Sequence, residues 1–435
     1  MKILIVGGGG REHALAWKCA EPPYVGKVFC APGNAGTAKE DKVTNVAIPP
    51  EDLESLASFA EEENIALTIV GPEAPLVSGI VNAFNARGLK CFGPTKEASV
   101  LEGSKVFAKD FLHRHGIPTG NYKSFSNSSE AVNYIKDCEF PLVIKADGLA
   151  SGKGVFITSD LVEAERVVRT ILSGNKFGEA GSQIVIEEFL DGEEVSYICM
   201  TDGYRCVPFA SSQDHKARDD GDSGPNTGGM GAYSPAPLLD SELEHRVLDE
   251  IIYPTLSGLR EEGRLYKGFL YAGLMINSRK QPKVLEFNCR FGDPEAQPTL
   301  FRLKTDLVEA CLKTLEGDIG ELQLEFDSKT ALGVVLAANG YPESYQTGWS
   351  VKVAEKASGL KDLKIFHAGT AQSGDSVVST GGRVLCVVGR GDNVREAQMV
   401  SYKGVDLVEA SNLFYRSDIG YRAIAKLKSP EPEHH

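Results

Sequence analysis

At 435 residues the chain is long for a single hydrophobic core, and two to four domains are expected. A hydrophobic content of 42% is typical of a globular protein, and a formal net charge of −14 disfavours a broad nucleic-acid-binding face. The nine cysteines include no C-x-x-C pair, which argues against a zinc site or a disulfide framework and favours free thiols in the cytoplasm.

The N-terminal segment alternates short apolar strands with helices and predicts a Rossmann-like parallel sheet. Its first strand, Lys2–Val6, is too short for a secretory leader or a membrane span. Three loops follow strands of this sheet, at Gly7–Glu12, Pro32–Gly36 and Gly71–Leu76. Because ligands bind outside the carboxyl ends of parallel strands, these loops are expected to form one site.

The glycine loop Gly7–Gly10 precedes a helix, and its backbone N–H groups suit an anion. An NAD site is the weaker interpretation, because Glu12 stands where the third glycine of the dinucleotide motif belongs. The next strand also ends in Pro32-Gly33-Asn34, where an NAD ribose needs an acidic residue. The sequence therefore favours a phosphate loop, with a purely structural turn as the alternative.

The following segment predicts a helix over Leu101–His115 that carries Lys105, and then a smaller α+β module over about residues 120–192. Lys145 lies in an apolar strand and needs a partner, because a buried ammonium group is costly on its own. The loop Gly148–Gly154 is rich in glycine and serine and suits a lid over phosphates. An exposed hairpin loop is the alternative.

Two further stretches are strongly polar. Glu187 and Glu188 end a strand, and Glu193 and Glu194 follow a turn, where they suit an adenine edge and ribose hydroxyls. On the sequence alone, a solvated acidic turn is the favoured interpretation of these glutamates. The stretch Ser211–Pro237 is long and glycine-rich and predicts a functional loop.

The strand that begins PKVLEFNCR is the central feature of the chain. Alternation along it predicts that Leu285 and Phe287 share one face, and that Glu286, Asn288 and Arg290 share the other. A carboxylate and an amide oxygen suit Mg²⁺, and a guanidinium beside them suits a carboxylate or phosphate. A surface ion pair at a strand end is the alternative.

The remainder of the chain predicts packing elements. A helix is expected over Gln297–Leu315. From Thr330 the pattern changes to short strands of a small mixed domain in which no catalytic cluster is expected. His367 and Cys386 are interpreted as packing residues there.

Taken in order, these segments resemble the glycinamide ribonucleotide synthetase family of the ATP-grasp superfamily. The resemblance runs from Lys2 to about Ala425. The motifs that carry it are GGREHALAWK, APGNAGTA, TIVGPEAPL, EGSK, VIKADGLASGKGV, IEEFLDGEE, SQDHK, GPNTGGMGAYSPAP, GFLYAGLM and EFNCRFGDPE.

The resemblance implies a multidomain fold of α/β and α+β type. A Rossmann-like domain, 1–103, is expected to bind phosphoribosylamine. An ATP-grasp domain of two α+β subdomains, 104–328, includes the smaller lid module at about 120–192. A small, β-rich mixed domain, 329–426, and a tail, 427–435, complete the chain.

The resemblance also implies a reaction in purine synthesis. ATP and a divalent ion, Mg²⁺ or Mn²⁺, would activate glycine as glycyl phosphate, and 5-phosphoribosylamine would then attack it, giving glycinamide ribonucleotide, ADP and phosphate. The expected partners are these small molecules only, with no nucleic acid and no membrane, and the expected state is a cytoplasmic monomer of the monofunctional type.

The site residues follow from the same resemblance. Those assigned to ATP are Lys105 and Lys145 at the phosphates, Ser151, Gly152, Lys153 and Gly154 in the lid, Glu187, Glu188 and Leu190 at the adenine, and Glu194 at the ribose. The metal ligands are Glu286 and Asn288. Those assigned to catalysis are Arg290 at the glycine carboxylate or acyl phosphate, Lys216 at the transferring phosphate, and Asp293 or Asp214 at the glycine ammonium. Those assigned to phosphoribosylamine are Gly8, Gly9, Gly10, Arg11, Glu12, Asn34 and Glu73.

Three other functions remain as alternatives. The first is another ATP-grasp carboxylate–amine ligase or a carboxylase such as biotin carboxylase, which shares an E-x-N-x-R strand. The second is an NAD-dependent oxidoreductase, which rests on Gly7–Gly10 alone. The third is a non-catalytic nucleotide-binding regulator, which the joint presence of Lys145, Glu286, Asn288 and Arg290 argues against.

Overall fold

The structure is a computed structural model, and it describes residues 1–149, 154–173 and 178–427. The predicted lid residues Ser151, Gly152 and Lys153 lie outside the described residues, as does the predicted tail beyond residue 427. Within the described residues, no helix has the length and apolar character needed to cross a membrane.

The N-terminal segment forms a five-stranded parallel sheet in the order β3-β2-β1-β4-β5. Its elements are β1 (Lys2–Gly7), α1 (Gly10–Ala20), β2 (Lys27–Pro32), β3 (Val43–Asn45), α2 (Leu53–Glu62), β4 (Leu67–Val70), α3 (Glu73–Ser78), α4 (Ile80–Ala86), β5 (Cys91–Phe92) and α5 (Lys96–Gly103). The first strand reads as a continuous apolar run because both of its faces are covered: Ile3 and Ile5 pack in one core, and Leu4 and Val6 in another. The predicted Rossmann-like sheet is confirmed.

A second, smaller sheet follows in the order β6-β9-β7-β8, with antiparallel pairing throughout. Its elements are α6 (Lys105–Arg114), β6 (Tyr122–Phe125), α7 (Ser128–Ile135), β7 (Leu142–Ala146), β8 (Val155–Thr158), α8 (Leu161–Leu172) and β9 (Ile184–Glu188). Helices α7 and α8 cover one face of this sheet and enclose its own apolar core. This unit is the α+β module expected at about residues 120–192.

The third sheet has the order β11-β10-β16-β17. Its edge strand, β17, is the strand that begins PKVLEFN. The elements of this part of the chain are β10 (Glu193–Thr201), β11 (Cys206–Pro208), β12 (Gln213–Asp214), β13 (Ala217–Asp219), β14 (Ser223–Asn226), β15 (Gly231–Ser234), α9 (Ser241–Val247), α10 (Tyr253–Glu261), β16 (Gly268–Ile276), β17 (Pro282–Asn288), α11 (Ala296–Arg302) and α12 (Leu307–Glu316). A π-helical turn, Leu248–Ile252, joins α9 to α10. The two antiparallel units confirm the predicted ATP-grasp core.

The C-terminal sheet has the order β12-β15-β18-β23-β20, with β25 pairing β18. The remaining elements are β18 (Thr330–Ala338), β19 (Lys352–Val353), β20 (Leu363–His367), β21 (Thr370–Ser373), β22 (Ser376–Ser379), β23 (Arg383–Gly391), α13 (Val394–Val405), β24 (Val408–Glu409), β25 (Leu413–Phe414) and α14 (Tyr421–Lys426). Strands β12 and β15 come from the stretch Ser211–Pro237 and join this sheet. That stretch is therefore not the single long loop that the sequence predicts, and a cut at residue 328 would divide one sheet.

Two predicted helices are each broken in two. At Ser104 the backbone is extended, and the Ser104 hydroxyl accepts a hydrogen bond from the Phe107 N–H (3.0 Å), which caps α6. At Asp306 the carboxylate accepts from the Val308 N–H (2.9 Å) and caps α12. The prediction of continuous helices over Leu101–His115 and Gln297–Leu315 is wrong, because the backbone becomes extended at Ser104 and at Asp306 and a new helix begins after each of them.

Candidate active site

A cavity of about 640 Å³ lies where the four sheets meet. The predicted site residues that line it are Arg11, Glu73, Lys105, Lys145, Gly154, Glu187, Glu188, Leu190, Glu194, Asp214, Lys216, Glu286, Asn288, Arg290 and Asp293. The predicted residues that are described but do not line it are Gly8, Gly9, Gly10 and Glu12, at the start of α1, and Asn34, in the loop after β2. The structure thus brings together residues that are up to 282 positions apart, such as Arg11 and Asp293.

Strand β17 carries a bulge where it enters the cavity. Gly273 of β16 lies opposite Glu286, whereas Leu274 lies opposite Val284, so Leu285 is an extra residue in the ladder. Leu285 is half-buried and lines the cavity beside Glu286. As the extra residue of the bulge, it interrupts the strict alternation that the sequence predicts along this strand. Local patterns do not reveal a bulge, because it depends on the partner strand.

Beyond the bulge the expected alternation holds. Phe287 and Cys289 are 3% and 2% exposed, and Glu286, Asn288 and Arg290 face the cavity. Burial raises the pKa of the Glu286 carboxyl, but the positive charges of Lys216, Lys145, Lys105 and Arg290 outweigh this effect and lower it to about 2. Glu286 is therefore an ionised carboxylate at neutral pH.

The residues Glu286 and Asn288 suit a hard divalent ion. The Asn288 Nδ2 donates to Glu102 Oε1 (3.1 Å) and to the Phe287 carbonyl (3.0 Å). In the described part of the chain no donor contacts the Asn288 Oδ1, so one carboxylate and one amide oxygen are available on the same face of β17. Magnesium commonly takes few protein oxygens and completes its shell with substrate phosphates and water.

Arg290 is held between two carboxylates. Its Nε donates to Glu73 Oε2 (2.7 Å), and its NH2 contacts Glu102 Oε1 at 2.9 Å. Arg290 is the largest influence on the pKa of Glu73, which is lowered to about 2. The NH1 group donates to the Phe291 carbonyl (3.1 Å), which leaves two of the five guanidinium N–H groups for a ligand.

The buried lysine of β7 has the partner that the sequence requires. Lys145 forms an ion pair with Glu187, and Lys109 of α6 forms a second pair with the same carboxylate. Lys145 also donates to the carbonyl of Leu285 in the bulge (3.1 Å). Lys105 donates to the Gly148 carbonyl (2.7 Å) at the start of the Gly148–Gly154 loop. These three lysines line the cavity on one side.

Acidic side chains lie on the opposite wall. Lys216 forms an ion pair with Glu194 and contacts Glu286 Oε1 at 3.4 Å. Asp214 is 6% exposed, and no donor in the described part of the chain contacts its carboxyl group. Burial raises the pKa of Asp214, and its acidic neighbours Glu295, Glu194 and Glu286 raise it further against the effect of Lys216. A positively charged ligand would relieve this repulsion.

The glycine loop is shaped by two residues that face inward. Glu12 is 2% exposed; its Oε2 accepts from the Gly9 N–H (2.6 Å) and its Oε1 from Arg11 Nε (2.6 Å). A Cβ at Gly7 or Gly71 would overlap the Glu12 side chain, which explains both glycines. Asn34 donates to the Gly8 carbonyl (2.9 Å), and its Oδ1 accepts from the main-chain N–H groups of Gly36 and Thr37. Its polar atoms are therefore engaged within the protein.

The C-terminal domain also reaches the cavity. Arg383 of β23 donates to the carbonyls of Gly228 and Asp293 (2.6 Å each). Its NH2 lies 3.7 Å from Asp293 Oδ2, and Arg383 and Tyr341 line the cavity. The sequence predicts no catalytic cluster in this domain, and the structure adds side chains such as Arg383 and Tyr341 to the wall of the cavity. The residues were missed because nothing in their local sequence distinguishes them from ordinary strand and loop residues.

Three other charged residues line the cavity and were not predicted: Glu102, Lys109 and Glu295. Lys109 follows Lys105 by four positions on one helix, so helical spacing alone placed it on the same face. Glu295 lies at the end of the EFNCRFGDPE motif and accepts from the Ser196 hydroxyl (3.0 Å). Glu102 lies in the EGSK motif, but its contacts with Asn288 and Arg290 depend on the packing of two domains.

Comparison with known families agrees with this architecture in all three parts of the chain. The models of phosphoribosylglycinamide synthetase match residues 1–102 (N domain), 103–296 (ATP-grasp domain) and 331–422 (C domain). The chain belongs to the phosphoribosylglycinamide synthetase family. Membership in this family confirms the resemblance drawn from the motifs.

Individual relatives cover the whole chain. The phosphoribosylamine–glycine ligase of Allochromatium vinosum is 56% identical over 429 residues, which are 99% of this chain and 100% of that protein. The enzyme of the same name from Haemophilus influenzae is 56% identical over 426 residues, 98% of this chain and 99% of that protein. Family members of this kind are thus similar over their full length.

Solved structures show the same fold. The phosphoribosylamine–glycine ligase of Thermotoga maritima has a TM-score of 0.84 at 35% identity, covering 97% of this chain and 100% of that one. A biotin carboxylase from Campylobacter jejuni has a TM-score of 0.73 at 14% identity, covering 99% of this chain and 95% of that one. The second likeness concerns the fold alone.

Proposed function

We infer that this protein is a phosphoribosylamine–glycine ligase. It joins glycine to 5-phosphoribosylamine at the expense of ATP and releases glycinamide ribonucleotide, ADP and phosphate. The observation that carries this conclusion is the full-length match to ligases of that name, at 56% identity over 99% of the chain. The cavity supports it, because it combines a lysine-rich wall, an ionised glutamate and an unpartnered acid.

We propose that ATP lies between the two antiparallel sheets. Lys105 and Lys145 would bind its phosphates, and the apolar cavity residues near Leu190 would enclose the adenine. Glu286 and Asn288 would hold the divalent ion, Mg²⁺ or Mn²⁺. When bound, such an ion supplies charge neutralisation at the phosphates. The assignment of Ser151–Gly154 to a lid stays a prediction.

The proposed chemistry uses charge and position. The glycine carboxylate oxygen attacks the γ-phosphorus of ATP, the bond to ADP breaks, and glycyl phosphate forms. The amine of phosphoribosylamine then attacks the glycyl carbonyl carbon, phosphate leaves, and the amine gives up a proton. Arg290 has two free N–H groups for the glycine carboxylate or acyl phosphate, and Lys216 lies beside Glu286 for the transferring group.

Asp214 is the better of the two predicted partners for the glycine ammonium group. Its carboxyl group lacks a hydrogen-bond donor among the described residues, and its acidic neighbours favour the approach of a cation. Asp293 already accepts from the Arg11 N–H (3.4 Å) and from Gln297 Nε2 (2.9 Å). Asp293 is therefore proposed to hold the start of α1, next to the glycine loop Gly7–Gly10.

Phosphoribosylamine is proposed to bind at the N-terminal loop. The loop Gly8–Gly10 lies at the start of α1, where the helix dipole favours a phosphate, although the N–H groups of Gly9 and Arg11 already donate to Glu12 and Asp293. Arg11 and Glu73 line the cavity beside it. Asn34 and Glu12 would act by shaping this loop, since their polar atoms bind the loop itself. A monomer in the cytoplasm is the proposed state of the protein.

The decisive experiment is ADP release with ATP and Mg²⁺, adding glycine and freshly generated phosphoribosylamine separately and together. ADP formed only with both substrates, together with glycinamide ribonucleotide, is the expected result. Turnover with another carboxylate or amine, and none with this pair, would overturn the substrate assignment in favour of another ATP-grasp ligase. Glu286→Gln serves as the low-activity reference, with its thermal midpoint measured to show that it folds.

A further inference from the structure

Glu102 connects the proposed metal ligand Asn288 to the proposed substrate ligand Arg290. It is 8% exposed and lies at the C-terminal end of α5, in the N-terminal domain. Its Oε1 accepts from Asn288 Nδ2 (3.1 Å) and contacts Arg290 NH2 (2.9 Å). Its Oε2 accepts from the main-chain N–H of Cys289 (2.7 Å) and from the Cys289 thiol (3.0 Å). One carboxylate thus contacts three successive residues at the end of β17.

These contacts determine which end of the Asn288 amide faces Glu102. A carboxylate accepts hydrogen bonds, whereas an amide has a donating nitrogen and an accepting oxygen. The atom of Asn288 that faces Glu102 must therefore be Nδ2, and its second hydrogen is donated to the Phe287 carbonyl (3.0 Å). The Asn288 Oδ1 then lies on the other side of the amide, away from Glu102.

We propose that Glu102 is a positioning residue. It fixes the Asn288 amide with its oxygen toward the divalent ion, and it holds the Arg290 guanidinium beside that amide. This inference rests on the proposed role of Glu286 and Asn288 as metal ligands. Side chains that orient metal ligands from outside the coordination shell commonly change metal affinity by about 10- to 100-fold when they are replaced. Glu102 has the contacts for such a role and does not need to touch the ion.

The substitution Glu102→Gln tests the orientation while keeping the shape of the side chain. The introduced glutamine has one accepting oxygen for two sets of donors. The Cys289 N–H belongs to the main chain and cannot turn away, so this oxygen is expected to serve it. The amide nitrogen of the glutamine would then face Asn288 Nδ2, and the Asn288 amide would turn its oxygen away from the ion.

The substitution Asn288→Asp provides the discriminating background. The introduced carboxylate presents an oxygen to the ion whichever way it is turned, so it does not need Glu102 for orientation. If Glu102 acted only through its negative charge, Glu102→Gln would weaken metal binding equally with asparagine or aspartate at position 288. If it acts by orientation, the loss appears only when Asn288 is retained.

The measurement is the dissociation constant of Mn²⁺ in the presence of ADP, followed by the electron paramagnetic resonance signal of free Mn²⁺. We expect Glu102→Gln to weaken binding by about 10-fold or more. In the Asn288→Asp background the same change is expected to have an effect of less than about threefold. Equal losses in both backgrounds, or no loss with Asn288, would overturn the proposal.

Two controls separate the possible failures. Glu97→Gln makes the same change on α5 at an exposed residue, which is bonded to Asn82 (3.0 Å), and is expected to leave Mn²⁺ binding unchanged. Glu286→Gln tests the metal site itself. Unchanged binding in Glu286→Gln would reject the proposed metal ligands, whereas loss there with none in Glu102→Gln would reject only the role of Glu102.

A crystal structure of the unsubstituted protein with Mn²⁺ and ADP gives an independent readout if Glu102→Gln does not fold. We expect the ion to contact Asn288 Oδ1 and Glu286, with Glu102 outside the coordination shell and bonded to Asn288 Nδ2. Direct coordination of the ion by Glu102, or an ion that Asn288 does not contact, would overturn the proposal.

Discussion

At the residue scale, the site is built from buried charges that share partners. Glu187 is 4% exposed and forms ion pairs with both Lys109 and Lys145, which are 3% and 7% exposed. Burial raises the pKa of Glu187, but the two lysines outweigh it, and the net shift is downward. The carboxylate therefore holds two ammonium groups in place beside the cavity.

We expect Glu187→Gln to lower the free energy of unfolding by about 3–5 kcal/mol, because it leaves two buried ammonium groups without a charged partner. The matched control is Glu63→Gln, which removes a surface ion pair with Lys2 (2.8 Å) and is expected to change the free energy of unfolding far less. Urea denaturation at neutral pH measures both. Similar losses in the two variants would show that the shared carboxylate is not a special source of stability.

At the element scale, a helix cap places Lys105, which is proposed to bind the phosphates of ATP. Ser104 ends α5 and caps α6, so Lys105 occupies the first position of the new helix. The Ser104 hydroxyl also donates to Asp147 Oδ1 (3.1 Å), and this carboxylate oxygen of Asp147 accepts from the Val106 N–H as well (3.1 Å). The start of α6 is thus tied to the end of β7, where the Gly148–Gly154 loop begins.

We expect Ser104→Ala to destabilise the protein by about 1 kcal/mol and to raise the KM for ATP several-fold, because the first turn carrying Lys105 loses its cap. Asn127→Ala is the matched control, since Asn127 caps α7 by accepting from the Ser129 N–H (2.8 Å) away from the cavity. Its thermal midpoint should fall similarly while the KM for ATP stays the same. Equal changes in KM would contradict the role of the α6 cap.

At the scale of the whole molecule, the first and last domains meet at helix α1, which follows the glycine loop Gly7–Gly10. His13 of α1 contacts Glu40 (3.0 Å) through Nε2, and its Nδ1 accepts from the main-chain N–H of His367 (2.8 Å). Lys364 of β20 donates to the same oxygen of Glu40 (2.5 Å). Because Nδ1 accepts, Nε2 carries the proton and donates to Glu40.

The contacts of Glu40 at this junction predict that the free energy of unfolding depends on pH in the acid range. Burial raises the pKa of Glu40, but His13 and Lys364 outweigh it and lower it from 4.5 to about 2. A carboxyl whose folded-state pKa is lowered contributes stability above its unfolded pKa and loses it as the pH falls toward the folded value. The contribution of Glu40 is therefore complete above about pH 5 and lost by about pH 2.

We expect Glu40→Gln to be less stable than the unsubstituted protein by up to about 3 kcal/mol at pH 7, and the difference to shrink as the pH falls from about 5 to about 2.5. Urea denaturation at pH 7 and pH 3 measures it. The exposed Glu51 provides the control variant Glu51→Gln, which should show little difference at either pH. A difference for Glu40→Gln that does not depend on pH would contradict the electrostatic account.

Much of the fold follows from local patterns. The apolar run of β1, the glycine loop after it and the alternation of Glu286, Asn288 and Arg290 each depend on neighbours within a few residues. The breaks at Ser104 and Asp306 also have a local signal, since both are good capping residues, but each stands within a stretch of helical periodicity that favours a continuous helix. The bulge at Leu285 could not, because it depends on how β17 pairs with β16.

Local sequence patterns specify the kind of chemistry: which loops suit phosphates, which strand offers oxygen ligands, and which family the motifs resemble. How these groups are held becomes visible in the folded chain, because a contact between distant residues leaves no local pattern. Glu102 and Asn288 are 186 positions apart, and Arg383 approaches Gly228 from 155 positions away. Their roles arise from the packing of separate domains around one cavity, where burial makes each shared hydrogen bond and charge matter.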